Sequence, residues 1–242
     1  MKQSRGKRLR CQWFTIDFKD YVDAVEESWP FSQANYGDGE WSSIVRGDGK
    51  INSDGVPMAG DIGKQLEKTL TNPCFTFFGF NCGPNLDGDV YDYQMRNGMQ
   101  RLPWVYKETI SAANCNGYIA PLFNALNQKR VLLVGGPHLS KLEIVHPEWF
   151  VKVHITDAVY NAAEITKQCL PYAQEADVIC FAAGFATNLV MHDLLIIMGD
   201  AAPVMLDMGA CFDPYVGLYN RKRYRTKEWQ QKEMVKNIRE TT

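Results

Sequence analysis

Hydrophobic and polar positions along the chain follow two alternating rhythms. Val131–Val134, Phe150–Ile155, Val178–Ala182 and Val204–Leu206 are short apolar runs rich in β-branched residues, the pattern of strands buried on both faces. Between them, Val159–Leu170 and Ala186–Met198 place apolar residues at helical spacing. Strands separated by helices of that length imply right-handed βαβ units and a mostly parallel sheet. The first half is less regular. Residues 14–27 read as a helix ended by Pro30, Phe31–Tyr36 as a short strand, and Gly47–Gly60 as a long loop of Gly, Asp, Asn and Pro. Ile62–Leu70 is an amphipathic helix and Cys74–Phe80 an aromatic-rich buried strand. The pattern predicts an α/β fold in one domain, a mostly parallel sheet flanked by helices, with no internal repeat or linker.

Composition narrows this picture without redirecting it. A chain of 242 residues, 45% hydrophobic and 22% charged, suits one large α/β domain with a sizeable core. No run of 18 apolar residues occurs, so no transmembrane segment is expected. The amino terminus lacks the apolar core of a secretory signal. Seven cysteines are scattered, odd in number and without a Cys-x-x-Cys pair. Reduced, mostly buried thiols in a cytoplasmic protein are the simplest account, and a zinc site is disfavoured.

The net charge of −2 is unevenly spread. Residues 1–10 carry five basic side chains and no acidic one; residues 219–239 carry eight basic against Glu228 and Glu233. The chain therefore divides into a basic amino-terminal segment (1–13), a body (14–226) and a basic carboxyl-terminal helix (227–242). Such ends are either solvated faces or binding surfaces for a polyanion such as DNA.

Candidate chemistry gathers at the predicted strand ends, where open α/β sheets bind ligands. Tyr36-Gly37-Asp38-Gly39-Glu40-Trp41 sets two carboxylates one glycine apart. In extended backbone, alternate residues share a face, so Asp38 and Glu40 can meet at one hard cation, Mn2+ or Mg2+. The competing reading makes Asp38 the cap of a helix beginning at Gly39, with Glu40 in its first turn. Gly135-Gly136-Pro137-His138 and Ala183-Gly184-Phe185-Ala186 are turns where backbone amides at Gly136 and Gly184 can approach phosphate. Neither is Gly-x-Gly-x-x-Gly or a P-loop. His138 is a candidate base, or an ordinary structural histidine. Asp207 and Asp213 lie at and beyond the last strand, and Asp213 before Pro214 is also a common turn opener. Arg221, followed by Tyr224, offers a guanidinium for a diphosphate.

Taken in order, these segments resemble the GT-D class of glycosyltransferases, a metal-dependent group with a Rossmann-like fold and an Asp-x-Glu motif. The likeness runs over roughly residues 15–225: Tyr36 to Trp41, Val131 to Gly135 with Pro137-His138-Leu139, Ala176 to Gly184, Leu206 to Gly209, and Phe212 to Tyr215 before Arg221 and Tyr224. Members of that group often carry a basic residue where this chain has Asn35. The resemblance implies a nucleotide-sugar donor, typically a UDP-sugar such as UDP-glucose, with its diphosphate held by Asp38 and Glu40 through Mn2+ or Mg2+. Gly37, Gly39, Gly136, Gly184, Arg221 and Tyr224 join the donor site on this reading. The acceptor is a hydroxyl on a glycan, a glycoprotein or a modified DNA base, and Asp207, Asp213 or His138 takes its proton. Two alternatives compete. Val131–Gly136 also resembles the glycine turn of S-adenosylmethionine-dependent methyltransferases, and Asn35 fits a non-catalytic nucleotide-binding module of the same fold.

Overall fold

Strands that read as unbroken apolar runs must be covered on both sides, and that demand shapes the molecule. A computed structural model describes residues 13–47, 60–81, 87–154 and 156–241. Residues 1–12, which hold most of the basic amino-terminal segment, and the loop expected over Gly47–Gly60 fall almost wholly outside the described residues, as do Cys11, Cys82 and Ile155. Seven strands form one parallel sheet: β1 (Ser32–Tyr36), β2 (Phe77–Phe80), β3 (Trp104–Tyr106), β4 (Val131–Gly135), β5 (Trp149–Lys152), β6 (Val178–Ala182) and β7 (Val204–Asp207). Their order is β3-β2-β1-β7-β6-β4-β5, and every pairing is parallel.

Side chains alternate between two cores, one per face. Leu132, Val134, Ile179, Phe181 and Met205 join Ala34, Tyr36 and Phe78 on the first face. That face is covered by α3 (Gly60–Thr71), α7 (Ala162–Ala173), α8 (Ala186–Met198) and Trp41 of α2 (Asp38–Arg46). Val131, Leu133, Val178, Cys180, Val204 and Leu206 point to the second. There they meet α1 (Phe18–Glu27), α5 (Thr109–Cys115) and α6 (Ala120–Asn127). The remaining long helix, α4 (Asp87–Arg96), follows β2.

Helices α2 and α3 cross at very short range. A Cβ on Gly63 of α3 would collide with the Ser43 carbonyl oxygen of α2 and lie 2.7 Å from its carbon. Ser43 Oγ is turned inward to donate to the Gly39 carbonyl at 2.8 Å.

The sheet has two rims. At one of them, outside β3, Trp13 forms a parallel bridge with Trp104. The Phe14 amide donates to the Trp104 carbonyl at 2.8 Å, and the Trp13 ring packs edge-on against Phe80 at 5.5 Å. Far away in sequence, α9 (Lys227–Trp229), a π-helical turn (Gln230–Met234) and α10 (Val235–Glu240) lie against α5 and α6. Asn237, fully buried, donates to the Asn114 carbonyl and side-chain oxygens at 3.1 Å and to Tyr215 Oη at 2.9 Å.

Several expected boundaries shift. The helix expected over 14–27 starts at Phe18 because Asp17 caps it: the Asp17 amide donates to Asp20 Oδ2 at 2.6 Å. The fifth strand starts at Trp149 and ends at Lys152. The strand β3 and the helices α4, α5 and α6 have no counterpart in the apolar pattern read above.

Candidate active site

The site grows from where the chain reverses its habit. After β1 it turns to the first face, placing Trp41 in that core; after the neighbouring β7 it turns to the second, burying Met208, Cys211 and Phe212. Two adjacent strands whose continuations part to opposite faces leave a crevice beyond their carboxyl ends. Gly37, Glu40 and Asp207 stand there.

Helix α2 opens at once after β1. Gly37 is its cap residue, with φ −101° and ψ −165°, and its amide donates to Glu40 Oε2 at 2.8 Å. Asp38 and Glu40 are therefore the first and third residues of a helix, not alternate residues of a strand. They sit about 200° apart around the axis. Their side chains lean toward the amino end of the helix, so they flank the space ahead of Gly37 from two sides instead of sharing one face. Asp38 is exposed and Glu40 half-buried. Both carboxylates oppose the positive end of the helix dipole. Gly39 is needed for packing, since a Cβ there would strike the ring of Phe185, 2.8 Å from Cε1.

Asp207 is the centre of the hydrogen bonding. The β1–β7 ladder pairs Ser32 with Met205 and Gln33 with Leu206. Beyond it, the Asp207 carboxylate continues the pairing: Oδ2 accepts the Asn35 amide at 3.1 Å and Oδ1 accepts the Gly209 amide at 3.0 Å. Asn35 Nδ2 donates to the Asp207 carbonyl at 3.2 Å. Gln33 Nε2 in turn donates to Asn35 Oδ1 at 2.7 Å, and Tyr21 Oη donates to Gln33 Oε1. Asn188 Nδ2 of α8 holds the Asn35 carbonyl at 3.0 Å. Asn35, the departure from the basic residue of the GT-D pattern, thus fixes the position of Asp207.

Burial pushes the Asp207 carboxyl up to about 7, and the negative charge of Glu40 adds to the rise. The Asn35 and Gly209 amides and the Lys107 ammonium oppose it. A carboxyl poised near neutrality beside a second carboxylate is suited to accept a proton at physiological pH.

The other expected site residues scatter. His138 Nε2 and Asp213 Oδ1 pair at 3.2 Å, both partly buried, where the turn after β4 meets the turn after β7. Gly136 caps the Pro137–Lys141 turn with ordinary extended backbone (φ −62°, ψ 156°). Gly184 takes a left-handed φ of +58° with open space around it, next to Phe185 at the start of α8. Arg221 is partly exposed at the head of the Lys222–Tyr224 turn. Tyr224 is buried: its ring packs on Trp229 at 4.8 Å and its hydroxyl accepts from Asn114 Nδ2 at 3.1 Å. It belongs to the core beneath the carboxyl-terminal helix, away from the surface.

Sequence reasoning passed over Lys107, Asn188 and Phe185 as site residues. Lys107 follows a three-residue strand after Pro103, so no periodicity marked it; Asn188 and Phe185 were legible only as parts of a turn and a helix. Among the described residues, no group of three or more His, Cys, Asp or Glu is arranged to hold a metal ion. Mg2+-type ions nonetheless bind through one or two carboxylates together with substrate phosphates and water, and the Asp38 and Glu40 carboxylates at the start of α2 are of the type such a site uses.

No protein-family model matches the chain, and neither does any curated protein. Two solved structures do. One, described as a selenomethionine-substituted domain of unknown function 1792, superposes with a TM-score of 0.60 at 14% identity, over 91% of this chain and 94% of that one. The other has a TM-score of 0.56 with the same identity and coverage, and its description is that the highly conserved domain of unknown function 1792 has a distinct glycosyltransferase fold. This chain has a glycosyltransferase fold. The glycosyltransferase fold accounts for the seven parallel strands and their flanking helices; at 14% identity it does not by itself assign the chemistry.

Proposed function

We propose that the chain is a metal-dependent glycosyltransferase that moves a sugar from a nucleotide-sugar donor, a UDP-sugar, to a hydroxyl acceptor on a glycan or glycoprotein. The observation that carries this reading is the crevice between β1 and β7, where Glu40 and Asp207 stand close enough for one charge to shift the other's protonation. Open α/β sheets bind their ligands in a crevice of that kind, which supports placing the donor there.

Asp38 and Glu40 would hold Mn2+ or Mg2+ at the amino end of α2. A divalent ion there supplies Lewis-acid neutralisation of the diphosphate as it leaves. The chain's own residues do the rest. Gly37 and Gly39 keep the helix start narrow, Glu40 is fixed by the Gly37 amide, and Asp207 accepts the proton of the acceptor hydroxyl. The His138–Asp213 pair, near the same sheet edge, is the second candidate for that proton. The methyltransferase alternative is not favoured. The Gly135 turn is filled, since a Cβ there would meet Leu139 at 2.7 Å and the Ala182 carbonyl at 3.4 Å. The glycine serves packing.

Thermal unfolding with UDP, with and without MnCl2, tests the reading, because a ligand that binds only the folded chain raises its melting point. The expected result is a rise with UDP that depends on Mn2+, lost in Asp38→Asn and Glu40→Gln. The latter substitution keeps the bond to the Gly37 amide. Asp207→Asn should keep UDP binding and lower sugar transfer by about 10²–10⁴-fold. Undiminished Mn2+-dependent UDP binding in both Asp38→Asn and Glu40→Gln would remove the metal role given to them. A modified DNA base as acceptor predicts retention on DNA that falls steeply with salt.

A further inference from the structure

Lys107 leaves the end of β3 and crosses β2 toward the start of α2. Its stem passes Gly79, where a Cβ would lie 2.9 Å from Lys107 Cβ and would collide with the Asn35 side chain. Its Nζ arrives beside Gly37: a Cβ on that glycine would collide with it and stand 3.3 Å from Glu40 Oε2. Gly79 of β2 and Gly37, the cap of α2, both lie along its path, and a Cβ on either would crowd it. Neither has a left-handed φ, so backbone conformation does not call for glycine at either position.

The ammonium at the end of this path is partly open to solvent. The Lys107 side chain is 23% exposed, and Glu108 Oε1 lies 3.8 Å away, beyond hydrogen-bonding distance. An ammonium carries three donors. Here they are set at the carboxyl edge of the sheet, between the helix start that carries Glu40 and the Asp207 carboxylate on which the lysine's charge acts. Gln33, Asn35 and the Asp207 main chain occupy the polar groups beneath it through their own hydrogen bonds. The remaining direction is outward, into the crevice.

We propose that Lys107 is a donor-binding residue whose ammonium takes a diphosphate oxygen of the nucleotide. The assignment rests on the glycosyltransferase reading and adds to it a cation supplied by the chain itself. A crevice lined by Glu40 and Asp207 repels a diphosphate. A lysine held along its stem, its ammonium paired only at 3.8 Å with Glu108 and partly open to solvent, offsets that repulsion with a charge-assisted hydrogen bond.

Calorimetric titration of the full chain with UDP in MnCl2, and separately with uridine at millimolar concentration, tests it in wild type, Lys107→Met and Lys107→Arg. UDP affinity is expected to fall by about 10- to 100-fold in Lys107→Met, to recover in part in Lys107→Arg, and uridine affinity to stay level. If Lys107→Met does not fold, Lys107→Gln carries the same comparison. Unchanged UDP affinity in the uncharged variant overturns the assignment and leaves the nucleotide reading intact. Equal losses for UDP and uridine also overturn it, because the phosphates would then not be what the lysine contacts. Wild type that binds no UDP sinks both.

Discussion

Asp207 shows how one carboxyl can be both anchored and poised. Two backbone amides hold its oxygens, yet burial and the nearby Glu40 raise its protonation point to about 7. In the unfolded chain an aspartate titrates near 4. The folded state therefore binds this proton more tightly than the unfolded state. The resulting stabilisation is full below the unfolded value, fades as pH rises between about 4 and 7, and is absent above. Asp207→Asn removes that titration. The melting point of wild type relative to Asp207→Asn should thus fall between pH 5 and pH 8 without ligand. A difference that stays constant across that range would show Asp207 titrating normally. With Asp207 as the proposed acceptor base, sugar transfer is expected to decline as pH drops through about 7 and the carboxyl becomes protonated.

Elements were legible where physics left one solution. Val178–Ala182 and Ala186–Met198 appear with the expected bounds, because an unbroken apolar run and a helical period each admit a single reading. The start of α2 did not. Asp38-Gly39-Glu40 fits a strand face and a helix start equally well by local pattern, and the decision came from tertiary contacts: Phe185 over Gly39, and Gly63 against Ser43. Trp104-Val105-Tyr106 is too short for periodicity to register, so β3 and the lysine it delivers stayed hidden. Of the site, Asp207 and the Asp38–Glu40 segment were readable from their place at strand ends. The Asn35–Asp207 link, 172 residues apart in sequence, was not. The α2–α3 crossing invites its own test. Gly63→Ala should destabilise the fold by about 1–3 kcal/mol in urea unfolding, against the gain of up to ~1 kcal/mol that alanine brings to a helix interior. Unchanged or increased stability would mean that the helices can part without cost.

At the scale of the whole molecule, an all-parallel sheet must protect two rims. Unpaired amides and carbonyls along an open strand invite a second polypeptide. Trp13 and Phe14, laid along the outside of β3, shield the start of that rim. A chain shortened to begin at Asp17 would uncover it, and with it the Phe80 ring against which Trp13 packs. Such a truncated form should self-associate as its concentration rises, measurable by light scattering, while the intact chain keeps a constant mass. The two aromatic residues laid beside the sheet would then be its guard against unwanted partnership.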